Sequence, residues 1–109
     1  MDIFSNPFLL RIFLNEMDKT KDHKNLHEKI IEMAREDKLA GATVFKGFLG
    51  YGASTHMHTA KILILSEDLP NVIEIIDEKE KLDSFIFRLA IFESKLFMTL
   101  QKIDQAIKI

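Results

Sequence analysis

The chain has 109 residues, enough for a single domain over 1–109 that buries its own core without disulfides or a structural metal. It is 47% hydrophobic and 29% charged, which argues against disorder, and its net charge of -2 lacks the basic excess of a nucleic-acid binder. The absence of cysteine excludes a disulfide framework, a thiolate metal site and a cysteine nucleophile, and no run approaches the ~20 apolar residues of a membrane span, so a cytoplasmic protein is expected.

The opening MDIFSNPFLLRIFLNEM is apolar but interrupted by Arg11 and Asn15, and reads as a strand rather than a leader. Phe8 to Glu16 alternates, with Leu10, Ile12 and Leu14 on one face and Arg11, Phe13 and Asn15 on the other. Asn25 to Leu39 has helical spacing: Leu26, Ile30, Met33 and Ala34 form one stripe, Asn25 and Glu28 have capping-box spacing, and Gly41 is the expected stop. Ala42 to Phe48 is a second strand, followed by a glycine-rich corner and an aperiodic ASTHMH loop. Thr59 to Leu65 is expected as a third strand, with Val72 to Ile76 as a further short strand or its resumption after the SEDLPN turn. Asp77 to about Glu93 reads as the second helix, capped by Asp77 with Glu80, and Leu82, Phe85, Ile86, Leu89 and Ala90 form its buried stripe. Phe87, Ile91 and Phe92 are more apolar surface than one stripe needs. Leu96 to about Ile103 is the last strand, and the tail to Ile109 fits either a strand or a helix.

This order predicts an α+β, ferredoxin-like βαββαβ fold: an antiparallel sheet with two helices on one face. The other face is left open, with Phe13, Leu63, Leu65, Ile73 and Ile75 expected on it. So apolar a surface predicts a closed homo-oligomer.

Function concentrates in FKGFLGYGASTHMH, 45–58. Gly47, Gly50 and Gly52 let backbone N–H groups approach a small anion closely, or serve as a hairpin corner with a bulge. His56 and His58 share a face in extended backbone, so they suit either one metal ion, a partner copy completing the ligand set, or a solvated loop. Catalysis finds no support: no Ser/His/Asp order, H-E-x-x-H or P-loop occurs, and Asp77, Glu78 and Glu80 read as helix-end charges. The chain therefore reads as a non-enzyme.

GATVFKGFLGYG at 41–52, HMH at 56–58 and LSEDLPNVIEIIDEKEKLDSF at 65–85 resemble the family called domain of unknown function 190, itself similar to the PII signal-transduction proteins. The resemblance implies a PII-like trimer with a small-molecule effector, a nucleotide or other small anion, in the clefts between subunits. Lys46, Gly47, Phe48, Gly50, Gly52, His56 and His58 would bind that ligand, and the 50–58 loop would signal to a regulated partner protein such as a membrane transporter or channel. The alternative is a divalent or soft metal tolerance protein using His56 and His58. PII proteins carry a second, glycine-rich loop before the last strand, whereas here FESKLFMTL has Lys95 and no glycine. The cofactor is therefore open between an adenine nucleotide and another anion.

Overall fold

Alternation and capping explain most of the elements. The computed structural model describes residues 1–51, 69–92 and 96–109. Strand β1 (Pro7–Asn15) buries Leu10, Ile12 and Leu14 and turns Arg11 and Phe13 outward. Helix α1 (Leu26–Glu36) begins at Asn25, whose side chain accepts a bond from Glu28 N. It buries Leu26, Ile30, Met33 and Ala34, as its spacing predicts. Its stop differs from the expectation. Lys38, at φ 57°, makes the left-handed turn, and Leu39 N donates to Ala34 O at 3.1 Å. Gly41 has no positive φ, and among the described residues a Cβ there would meet nothing within 4 Å.

Strand β2 (Ala42–Lys46) and strand β3 (Pro70–Glu78) follow. The strand expected at 59–65 lies outside the described residues. β3 is longer than the expected 72–76 segment because its inward phase continues through Asn71, Ile73, Ile75 and Asp77. Asp77 is therefore a strand residue and not a helix cap. Its buried carboxylate accepts from Ala40 N at 2.8 Å and Glu78 N at 2.7 Å. Helix α2 (Lys79–Leu89) begins two residues later than predicted. Glu78 stands at its N-cap without a side-chain capping bond, because its carboxylate accepts from Ser5 Oγ at 2.7 Å and Asn6 N at 2.8 Å. These bonds, that from Asn6 N foremost, hold Glu78 below the usual carboxylate range.

Strand β4 (Phe97–Lys102) completes an antiparallel sheet in the order β2-β3-β1-β4. Both helices lie on one face, where Leu26, Ile30, Met33, Leu82, Phe85 and Leu89 pack with Leu10, Ile12, Ile73 and Ile75 into one core. Arg88 fastens α2 to the end of α1, donating to Glu36 Oε1 at 2.8 Å and to Asp37. Beyond β4, the tail pairs with the opening residues, Ile3 N donating to Ala106 O and Lys108 N to Met1 O, both at 3.0 Å.

The open face needs one correction. Ile73 and Ile75 are registered opposite Ile12 and Leu10, so they lie under the helices. The outward residues of β3 are Val72, Glu74 and Ile76. Cross-strand register aligns Phe45, Val72, Phe13 and Phe97 in one apolar row. The Phe13 and Phe97 rings lie 5.4 Å apart. The next row is polar, with Arg11 Nε donating to Glu74 at 2.8 Å. Leu63 and Leu65, also expected on this face, lie outside the described residues.

Candidate functional site

The ends of β1 and β2 and the start of β3 meet at one edge of the sheet, since Asn15 pairs with Pro70 and Lys46 with Asn71. This edge is the neck of the connection between β2 and β3. Gly47 N donates to Pro70 O across the neck. A Cβ on Gly47 would lie 2.7 Å from both Pro70 Cγ and Pro70 O, and one on Gly50 would lie 3.2 Å from Pro70 Cγ. The glycines are needed here for close approach, not for a left-handed backbone.

A polar group forms on the helix side of the neck. Asn71, 1% exposed, donates from Nδ2 to Glu16 Oε2 at 2.7 Å and lies 3.4 Å from His27 Nδ1. The Glu16 carboxylate holds the amide's orientation, because only the NH₂ end of Asn71 can donate to it. Asn71 Oδ1 is buried and has no hydrogen-bond partner among the described residues. Lys46 Nζ stands 4.0 Å from Glu16 Oε1 and is largely exposed. Glu16 N also donates to Leu69 O at 2.8 Å, tying the end of β1 to the residue that leads into β3.

Of the expected site residues, Lys46, Gly47 and Gly50 come together at this neck. Phe48 does not join them: it is 91% exposed, beside the exposed Leu49 and Tyr51. Gly52, His56 and His58 lie outside the described residues, as does Lys95. Glu16, His27 and Asn71 were not anticipated. Asn71 was detectable in principle, as a polar residue in phase with Ile73 and Ile75 on the buried face of its strand. Among the described residues no helix is long and apolar enough to cross a membrane.

The described elements define a ferredoxin-like α+β domain. A solved structure from Thermus thermophilus, provisionally described as a PII-like signaling protein, superposes with a TM-score of 0.60 at 15% identity, covering 94% of this chain and 91% of that one. The chain belongs to the family DUF190, described as an uncharacterized ACR, which it matches over residues 8–105. A UPF0166 protein of Aquifex aeolicus is 42% identical over 78 residues, covering 72% of this chain and 73% of the relative. A UPF0166 protein of Methanocaldococcus jannaschii is 32% identical over 81 residues, covering 74% of this chain and 73% of the relative.

Proposed function

We propose that this chain is a PII-like regulatory protein, not an enzyme: a single domain over 1–109 that acts as a cytoplasmic homotrimer. It binds a nucleotide or other small anion in the clefts between subunits, and the 50–58 loop passes the bound state to a partner protein such as a membrane transporter or channel. The observation that carries this reading is the neck between β2 and β3, where Gly47 is pressed against Pro70 and Lys46 offers an exposed cation at the sheet edge. An anion at this edge meets Lys46 and the backbone of the glycine corner. The apolar row across the open sheet face supports assembly, because a lone protomer would expose it to water.

Two measurements test this together. Sedimentation gives the assembly, with a trimer expected. Calorimetry against ATP, ADP, AMP and cyclic dinucleotides gives the ligand, with saturable binding expected and its loss in Gly47→Val. A trimer that takes up none of these nucleotides removes the sensing role and leaves a scaffold.

A further inference from the structure

One atom at the loop neck is left over. Asn71 Oδ1 is buried and accepts nothing among the described residues, while the NH₂ end of the same amide has two neighbours. Glu16 Oε2, just past β1, lies 2.7 Å from Asn71 Nδ2, and His27 Nδ1, in the first turn of α1, lies 3.4 Å from it. An ionised carboxylate only accepts, so Glu16 fixes which end of the amide faces the pair. A bare Nδ1 accepts from the second hydrogen of that NH₂, which places the proton of neutral His27 on Nε2.

A second proton on His27 breaks this arrangement. Nδ1 then carries a hydrogen and faces an NH₂ group that cannot accept it. Turning the amide over would give Oδ1 its missing donor, but would set that oxygen against the Glu16 carboxylate. One orientation of Asn71 serves both neighbours when His27 is neutral, and neither orientation does when it is charged. The other charged groups around the chain are Lys46 of β2, 4.0 Å from Glu16 Oε1, and Asp18 before α1, whose carboxylate is taken by Asn15 N at 2.9 Å. Glu28 follows His27 along α1 and is exposed.

Asn71 sits where such a change is felt. Its partner in the sheet is Lys46, and it follows Pro70, whose carbonyl accepts from Gly47 N. We propose that Glu16, Asn71 and His27 form a pH-sensitive latch on the neck between β2 and β3, closed with neutral His27 and loosened when His27 takes up a proton. Imidazole is the side chain that ordinarily changes charge between about pH 5 and 8. The latch rests on the regulatory reading for what it controls, but it is tested without any nucleotide, so failure of one is distinguishable from failure of the other.

Nuclear magnetic resonance of the full chain, labelled with nitrogen-15, tests it. Expected at pH 8 is a His27 ring with its proton on Nε2. Between pH 8 and pH 5 the Asn71 NH₂ and Gly47 amide signals should move with the same midpoint as the His27 ring. His27→Gln should remove that movement. Glu16→Gln, whose own amide can meet Asn71 in either orientation, should shrink the movement at Gly47 while His27 still titrates. A proton on Nδ1 at pH 8, Asn71 and Gly47 signals that stay flat while His27 titrates, or the same movement in either variant overturns the proposal.

Discussion

Lys38 ends α1 in a left-handed conformation that glycine would adopt without strain, while the neighbouring Gly41 uses none of its freedom. Lys38→Gly should therefore raise stability by about 1 kcal/mol in urea titration, because its carbonyl still accepts from Lys81 and only the Cβ strain is removed. Gly41→Ala should be neutral to mildly stabilising. Gly47→Ala should destabilise, since its Cβ would lie 2.7 Å from Pro70 O and Cγ unless the neck opens. The sequence suggested the reverse for the stop at α1, because a glycine a few residues past the helix and a lysine in the turn cannot be ranked without the backbone. Glu78 sets a pH dependence. Its folded-state pKa is depressed below the ordinary 4.5, so its contribution is present above that value and is lost as pH falls through the folded value. Glu36, lowered by its bond from Arg88, acts in the same direction. Melting temperatures of Glu78→Gln should fall less steeply between about pH 5 and about pH 3 than those of the parent chain.

At the scale of the element, β1 and α1 were legible because their patterns are unmixed. The aliphatic alternation of Leu10, Ile12 and Leu14 and the stripe of Leu26, Ile30 and Met33 each admit one structure. The boundary between β3 and α2 was not legible. Asp77 and Glu80 have capping-box spacing, yet Asp77 instead receives Ala40 N, a partner 37 positions away in sequence. Nothing local announces such a bond. The same long-range pairing placed Ile73 and Ile75 beneath the helices: alternation gives two faces but not which one is covered, and register against β1 decides it. The helices themselves are joined through Arg88, whose guanidinium meets Glu36, Asp37 and the carbonyl of Met33. Arg88→Ala should loosen this pair, and hydrogen exchange should speed at the end of α1 before it changes in β1 or β3. Phe85, fully buried between the helices and the sheet, should cost about 3–5 kcal/mol on truncation to alanine, read in the same titration.

For the whole molecule, the open sheet face carries the decisive test. Phe97 is 64% and Phe45 52% exposed, so neither holds the protomer together. Phe97→Glu should leave the protomer's fold intact by circular dichroism and lower the assembly state in sedimentation, because a carboxylate would have to be desolvated in the joint. That an apolar open face exists was readable from Phe13, whereas its other members Phe45, Val72 and Phe97 emerged only with the pairing. Of the candidate site, the glycine corner was legible as a motif. Its cause, contact with Pro70 more than twenty positions on, was not, because steric need between distant residues leaves no periodic trace. That contact has a practical corollary. The Gly47–Pro70 clasp and the bond from Glu16 N to Leu69 O tie the two ends of the connection to the sheet. The sheet thus offers a ready-made socket: a foreign peptide spliced between Tyr51 and Leu69 would start and finish at a preset spacing.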